Sequence, residues 1–268
     1  MRASNTSTFS NNSFIKLKDK EFLNNQRIAG RVAAQTLLLL EKLVKEKTTK
    51  SLLELDKIAG EFIINNGCEI TFLNYKGFPN NICISVNKQL VHGIATDYKL
   101  QDGDLVSFDL GATYRGAIAD TAITCIYGNP ISNKHIELIN ATNEALYEGI
   151  KAISINKRLG SIGNAISKYV KNKGYGLITN YGGHGLDLNI PHAQPFVSNK
   201  SDINEGIRFT NGLTLAIEPM LTSGPIKTWT DNDGWTVWCD AEISAHCEHT
   251  IHINENNVEI ITDRSQYK

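Results

Sequence analysis

The chain has 268 residues and a formal net charge of −1, and this length suits one large domain or two small ones. The near-zero charge argues against nucleic acid or an anionic membrane surface as the main partner, and 41% hydrophobic and 21% charged residues are typical of a soluble globular protein. Five cysteines without a Cys-x-x-Cys pair predict free thiols in a reducing compartment, and neither a secretory signal nor an apolar run of membrane-spanning length is visible. We therefore expect a cytoplasmic protein without a membrane anchor.

Four segments carry apolar residues at helical spacing. A stretch rich in Ser, Asn and Thr over residues 1–19 precedes them and is expected to be a flexible tail. Thr48 or Thr49 is expected to cap the second helix and Ser132 the third. The predicted helices cover Lys20–Glu46, Ser51–Asn66, Ser132–Ile153 and Leu159–Asn172.

Strand-prone segments follow each pair of helices. Strands broken by a turn are predicted within Glu69–Ile94, and Val106–Thr124 is predicted to form a hairpin. Later strands are predicted at Leu213–Glu218, Glu242–Ala245 and Glu248–Ile253. The order helix, helix, strands therefore occurs twice, which predicts one pseudo-symmetric α+β domain over residues 20–268, with a curved antiparallel sheet inside and helices on its outer face. An active site is expected on the concave face, where both halves contribute.

The hairpin carries one aspartate in each of its apolar strands. If its turn centres between Tyr114 and Arg115, Asp109 and Asp120 face each other directly. Opposed like charges destabilise a sheet, so a positive ion is expected between the two carboxylates. Further metal ligands are therefore expected elsewhere in the chain.

Three later residues are candidate ligands. His184 lies in a glycine-rich stretch interpreted as a loop, Glu218 ends an apolar strand, and Glu248 shares a predicted strand face with His246, whereas His249 points the other way. Each has an ordinary alternative, such as a loop histidine or a strand-end glutamate in solvent. Together with the aspartates they give four carboxylates and one imidazole, which suits Mn, Fe, Co or Zn, and two ions sharing bridging carboxylates.

Six short motifs of the chain resemble those of the type I methionine aminopeptidases and occur in the same order. They are His-Gly-Ile at His92, the Asp109/Asp120 pair, and the stretches GGHG, IEPM, DGWTV and EHTI. The resemblance runs from about residue 20 to 262, nearly the whole chain. It implies the pita-bread fold and removal of the N-terminal methionine from peptides and nascent proteins, by attack of a hydroxide that two divalent ions (Co, Mn, Fe or Zn) share.

The resemblance also assigns roles to residues. Glu218 would move the proton, His192 would assist at the scissile carbonyl, and His92 would contact the peptide beyond the scissile bond. The implied metal ligands are Asp109, Asp120, His184, Glu218 and Glu248, with Asp120 and Glu248 bridging. The implied pocket for the methionine side chain comprises Phe72, Tyr75, Phe78, Cys83 and Trp235, for which ordinary core is the alternative.

Two features depart from the common bacterial pattern, and a third agrees with the short, bacterial-type enzyme. The stretch from His184 to His192 is one residue longer, which affects the expected placement of Ile190 and Pro191. His246 stands where glutamine is usual, either as a simple polar replacement or as a hydrogen-bond partner of a ligand. A Cys/His-rich N-terminal extension, as in eukaryotic cytosolic forms, is missing from this sequence.

Two other functions stay open. One is a proline-specific peptidase of the same fold, which usually carries a large extra N-terminal domain. The other is a non-catalytic relative that binds peptides, although such relatives typically lose metal ligands. The expected partner is a peptide or nascent chain beginning with methionine, the expected state is a monomer, and contact with the ribosome stays open.

Overall fold

Four helices and fifteen strands occur in the part of the chain that a computed structural model describes, residues 15–49, 51–254 and 257–267. The helices are α1 (Lys20–Lys45), α2 (Leu52–Asn65), α3 (Asn133–Lys151) and α4 (Gly160–Val170). The strands are β1 (Glu69–Ile70), β2 (Cys83–Val86), β3 (Gln89–Val91), β4 (Leu105–Tyr114), β5 (Ala117–Ile126), β6 (Gly176–Leu177), β7 (Gly182–Asp187), β8 (Ile190–Ser198), β9 (Thr214–Ile217), β10 (Met220–Thr222), β11 (Thr228–Thr230), β12 (Val237–Cys239), β13 (Ser244–His246), β14 (His249–Asn254) and β15 (Asn257–Ile260).

The repeated plan of helices followed by strands is confirmed. In the first half, α1 and α2 cover β2, β4 and β5, and Leu37, Leu55 and Phe108 lie in that core. In the second half, α3 and α4 cover β9, β13 and β14, with Leu146 and Ile251 in a separate core. Every pairing between strands of the described residues is antiparallel. In each half, helices therefore cover one side of the strands, as the α+β prediction requires.

The helix ends follow from their capping residues. Ser132 caps α3 as predicted, since its hydroxyl accepts a hydrogen bond from the Lys134 amide. The prediction of Thr48 or Thr49 as the cap of α2 is wrong, because Ser51 takes that place and its hydroxyl accepts from the Glu54 amide. None of the described helices is both long and apolar enough to cross a membrane.

Most of the predicted tail, residues 1–14, lies outside the described residues, so its flexibility stays a prediction. Residues 15–19 are described and run against the second half of the molecule. The Lys18 amide donates to the Gly212 carbonyl at 2.8 Å, and the Lys18 ammonium donates to Asp187 at 2.5 Å. The chain is therefore already held in place before α1 begins.

The hairpin of β4 and β5 forms, but its predicted register is wrong. Its two-residue turn is Arg115-Gly116, with φ values of 48° and 79°, so Asp109 pairs with Ala122 and Asp120 pairs with Gly111. Two successive positive φ angles define the type I′ turn that the right-handed twist of a hairpin favours, and glycine suits its second position. The two aspartates are therefore diagonal neighbours on one face instead of direct partners.

The His184 segment is a strand, which corrects its interpretation as a loop. His184 lies in β7, between β8 and β9 in a five-stranded sheet of order β15-β14-β9-β7-β8. A β carbon at Gly183 would lie 2.1 Å from the Ala216 carbonyl oxygen, and one at Gly185 would lie 2.0 Å from that of Gln194. The glycines thus allow close approach of neighbouring backbones on both sides of His184.

Threonine hydroxyls join the two halves where β5 lies beside β14. The Thr250 hydroxyl donates to the Asp120 carbonyl and accepts from the Asp120 amide, both at 2.8 Å. The Thr121 hydroxyl donates to the Glu248 carbonyl at 2.8 Å. All four residues are buried. The bonds therefore fix the backbone at two of the predicted ligands, one from each half.

We expect Thr250→Val to destabilise the protein by about 2 kcal/mol, because two buried backbone groups of Asp120 lose their partner. Urea unfolding in the presence of a chelator measures this cost without a contribution from bound metal. Thr250→Ser keeps the hydroxyl and should cost clearly less. A loss from Thr250→Val no larger than that from Thr250→Ser would contradict the expected contribution of the two hydrogen bonds, because only Thr250→Ser loses the methyl group.

Candidate metal centre and adjoining cavity

All five predicted metal ligands converge at the centre of the molecule. Asp109 lies on β4, Asp120 on β5 and His184 on β7, while Glu218 directly follows β9 and Glu248 lies between β13 and β14. Ligand atoms of Asp109, Asp120 and Glu248 all lie within 4.8 Å of one another, and so do those of His184, Glu218 and Glu248. Glu248 belongs to both groups, and Asp120 and His184 form a third such group with His192. The carboxylates thus form two adjacent groups that share a member.

The buried oxygens of this cluster lack protein donors. Asp120 and Glu248 are each 2% exposed, and Oδ1 of Asp120 and Oε1 of Glu248 have no hydrogen-bond partner among the described residues. A buried carboxylate without a partner is costly, and binding a cation removes that cost. Carboxylate oxygens with one imidazole are a donor set that borderline divalent cations accept. The residues therefore fit a divalent metal site.

The carboxyl groups resist ionisation without a cation. Burial, followed by repulsion from Asp120, raises the pKa of Asp109 well above its usual range. Burial and the charge of Glu218 raise the pKa of Asp120 to about 7. Burial and the charge of Asp120 also raise the pKa of Glu248 well above its usual value. The fold therefore holds these acids where their charged forms are unfavourable by themselves.

Glu218 differs in its pKa from the other carboxyl groups of the cluster, because two histidine side chains face it. Its Oε2 lies 3.4 Å from His246 Nε2, and its Oε1 lies 3.6 Å from His184 Nε2. Burial alone would raise the pKa of Glu218, but the nearby imidazoles of His246 and His184 outweigh it and hold the pKa below its usual value. Glu218 is thus the carboxylate of the cluster that stays ionised. His246 was predicted either to hydrogen-bond a ligand or to be a plain polar replacement; it lies beside the ligand Glu218, but its Nε2 has no hydrogen-bond partner among the described residues.

A cavity of about 200 Å³ opens beside the cluster. Phe72, Phe78 and Cys83 form its buried apolar part, and Trp235 packs edge-on against Phe78 with ring centroids 5.2 Å apart. Every residue predicted to bind substrate lines this cavity, together with Lys76 and Asp109; the predicted residues are Phe72, Tyr75, Phe78, Cys83, His92, His192 and Trp235. Because Asp109 also belongs to the metal cluster, the cavity and the cluster are contiguous.

His92 and His192 lie between the cavity and the metal-ligand cluster. The His192 ring lies 4.6 Å from the His184 ring and 5.3 Å from the Tyr75 ring, centroid to centroid. The His92 ring lies 6.4 Å from that of Trp235. Burial lowers the pKa of His92 to about 4 and lowers that of His192 further. Both imidazoles are therefore neutral at pH 7, with one ring nitrogen able to donate and the other able to accept.

The stretch from His184 to His192, predicted to be one residue longer than in the common bacterial pattern, forms the hairpin of β7 and β8. The pairing shifts register on either side of Gly185, and Leu188-Asn189 forms the turn. Ile190 is 46% exposed and, like Pro191, does not line the cavity. Neither residue therefore forms part of the pocket wall.

Sequence reasoning missed three contributors to this region. Lys76 lines the cavity, and Thr121 and Thr250 hold the backbone of two candidate ligands. A lone lysine beside an aromatic residue gives no sequence signal of its own. Thr121 directly follows Asp120 and Thr250 lies two residues after Glu248, but threonines are common in strands and give no signal by themselves.

Residues 24–255 match the model of metallopeptidase family M24. A methionine aminopeptidase of Mycoplasma capricolum is 42% identical over 249 residues, which cover 92% of this chain and 98% of that protein. The chain belongs to the methionine aminopeptidases of this family. Methionine aminopeptidase 1 of Bacillus subtilis is 40% identical over 243 residues, covering 90% of this chain and 96% of the relative.

Solved structures agree with this membership of family M24. The methionine aminopeptidase of Thermotoga maritima superposes with a TM-score of 0.88 at 33% identity, over 93% of this chain and 99% of the other. The predicted pita-bread fold is thereby confirmed. Prolidase of Pyrococcus furiosus shares the fold alone, with a TM-score of 0.73 at 22% identity, over 92% of this chain but 65% of the prolidase.

Proposed function

We propose that the protein hydrolyses the peptide bond after an N-terminal methionine, using divalent metal ions held by Asp109, Asp120, His184, Glu218 and Glu248. The observation that carries this proposal is the contact between the metal-ligand cluster and the apolar cavity, both of which include Asp109. A thioether packs well against aromatic ring edges, and the cavity offers such edges from Phe78 and Trp235. The reacting bond would then lie at the junction of cavity and cluster.

We infer two metal ions, because four carboxylates exceed what one hydrolytic ion needs and because Glu248 belongs to both ligand groups. Asp120 and Glu248 would be shared between the ions, and Co, Mn, Fe and Zn all suit the donor set. When bound, the ions would supply Lewis acidity that polarises the carbonyl and lowers the pKa of water.

Side chains of the protein would carry out the remaining steps of the reaction. Glu218, the carboxylate that stays ionised, would take a proton from the attacking water and pass it to the leaving amine. Neutral His192 would donate a hydrogen bond to the scissile carbonyl oxygen, where negative charge develops. His92, which lines the cavity, would contact the peptide beyond the scissile bond. The substrate is a free peptide or a nascent chain, with the protein acting as a monomer.

Turnover of Met-Ala-Ser by the metal-loaded protein tests this function directly, with X-Pro peptides as the comparison. Cleavage of the methionyl peptide supports the proposal. Preference for X-Pro peptides would instead support the proline-specific alternative. Absence of metal-dependent turnover of either peptide would point to a non-catalytic protein.

The cavity is expected to set the preference for methionine. Trp235→Ala removes one apolar wall, so kcat/KM for Met-Ala-Ser should fall about tenfold. Selectivity over Leu-Ala-Ser should fall as well. Trp229→Ala, at a tryptophan that is 45% exposed and does not line the cavity, serves as the matched control and should change neither value. Unchanged selectivity in Trp235→Ala would place the methionine side chain elsewhere.

A further inference from the structure

The mouth of the substrate cavity carries one positive charge that the mechanism does not use. Of the residues that line the cavity, only Lys76 and Asp109 are charged, and Asp109 belongs to the metal cluster. Lys76 is exposed. None of the Lys and Arg ion pairs within the described ranges includes Lys76. Its ammonium group is therefore available to a ligand in the cavity.

The backbone fixes the position of Lys76. Its φ of 49° lies in the left-handed region, which residues with a β carbon seldom adopt. Hydrogen bonds hold the turn, since the Phe78 amide donates to the Tyr75 carbonyl at 3.0 Å and the Asn74 amide donates to the Phe78 carbonyl at 2.9 Å. Phe78 is 2% exposed and anchors the turn in the cavity wall. The main chain at Lys76 is therefore held beside the buried pocket, and its side chain extends from that position.

Ring contacts connect Lys76 with the reaction centre. Its Nζ lies 5.2 Å from the centroid of the Tyr75 ring, a cation–π distance. The Tyr75 ring in turn lies 5.3 Å from that of His192, which we place at the scissile carbonyl. A substrate with its methionine in the cavity would extend its following residues from His192 toward solvent. Side chains of those residues would pass within reach of the ammonium group.

We propose that Lys76 selects substrates that carry an acidic side chain shortly after the N-terminal methionine, an inference that rests on the proposed function. The attraction is that of one exposed ion pair, so it is modest and weakens with salt. A basic side chain at the same place is repelled. The preferred substrate class is therefore methionyl peptides with an acidic residue near the start of the chain.

The test compares kcat/KM for three C-terminally amidated peptides, Met-Ala-Glu, Met-Ala-Ser and Met-Ala-Lys, at low ionic strength. We expect the glutamyl peptide to exceed the lysyl peptide about fivefold, and the ratio to approach one in 0.5 M KCl, where a charge pair on the order of 5 Å apart is screened. Lys76→Gln should abolish the preference and Lys76→Glu should reverse it, each measured as the ratio of kcat/KM for the glutamyl and lysyl peptides. Lys88→Glu, a charge reversal at an exposed lysine that does not line this cavity, is the matched control and should keep the wild-type ratio.

Different results would contradict the role of Lys76 and the aminopeptidase function. Turnover of Met-Ala-Ser with equal kcat/KM for the charged peptides would overturn the role of Lys76 and leave the aminopeptidase function intact. A preference that survives in Lys76→Gln would also overturn it, since another group would then be responsible. Absence of turnover of all three peptides would overturn the proposed function, and the role of Lys76 with it.

Discussion

Glu218→Gln is expected to lower kcat/KM on Met-Ala-Ser about a thousandfold. The substitution keeps the size of the side chain but removes both a metal-binding charge and the group that we assign to proton transfer. The local environment keeps Glu218 in the form that this role needs, because His246 and His184 hold its pKa below the usual value while its acidic neighbours are shifted upward. Only the ionised carboxylate has a site that can accept a proton.

Steady-state kinetics with saturating metal, combined with metal analysis of the variant, measures this loss and separates its two causes. A variant that retains the full metal content but little turnover would point to proton transfer, whereas a variant without metal would point to ligation. Glu242→Gln is the control, because Glu242 is exposed and lies outside the cluster, and it should behave like the wild type. Wild-type turnover by Glu218→Gln would show that the role assigned to Glu218 is wrong.

Asp120→Asn is expected to have opposite effects on stability with and without metal. With metal, the variant should lose affinity and activity together, because Asp120 belongs to the ligand cluster. Without metal, it should be more stable than the wild type at pH 8, by an amount on the order of 3 kcal/mol. The reason is that the wild-type protein must ionise a buried carboxyl group beside other acids.

The pH dependence follows from the raised pKa of Asp120, about 7 in the folded protein against about 3.9 in an unfolded chain. Between these two values the folded state binds more protons than the unfolded state, so the stability of the metal-free wild type falls as pH rises. The amide that replaces this carboxyl group in the variant does not titrate. The difference between variant and wild type should therefore be small at pH 4 and should grow up to pH 8.

Urea unfolding in chelator at a series of pH values measures this difference, and the same series with Mn²⁺ measures the reversal. A ligand that binds only the folded state raises stability according to its concentration and affinity, so metal should make the wild type the more stable of the two. A variant that is less stable than the wild type in chelator at pH 8 would contradict the expected electrostatic cost of the empty ligand cluster.

Periodicity and capping residues were enough to predict the helices and the repeated plan of the fold. The apolar spacing in α1 and the serine before α3 act locally, so they can be recognised without knowledge of the tertiary structure. The register of the central hairpin was missed because the apolar runs allow more than one alignment. The pair Arg115-Gly116, with its demand for positive φ, fixes the alignment and could have been recognised.

The candidate site was predictable as a set of residues but not as an arrangement. Carboxylates at the ends or middles of apolar strands are conspicuous in a sequence, which is why Asp120, Glu218 and Glu248 could be proposed. The strand character of His184 could not be seen, since glycines on both sides usually signal a loop and here serve close backbone approach. The contact between His246 and Glu218 joins β13 to the end of β9 and depends on tertiary packing alone.

The most direct test of the central claim is metal analysis of freshly purified protein, coupled to turnover of Met-Ala-Ser before and after chelation. We predict bound divalent metal, loss of turnover when it is removed, and recovery on addition of Mn²⁺, Co²⁺ or Fe²⁺. Turnover that persists after the metal has been removed would contradict the assignment of Asp109, Asp120, His184, Glu218 and Glu248 as the ligands of a catalytic metal centre.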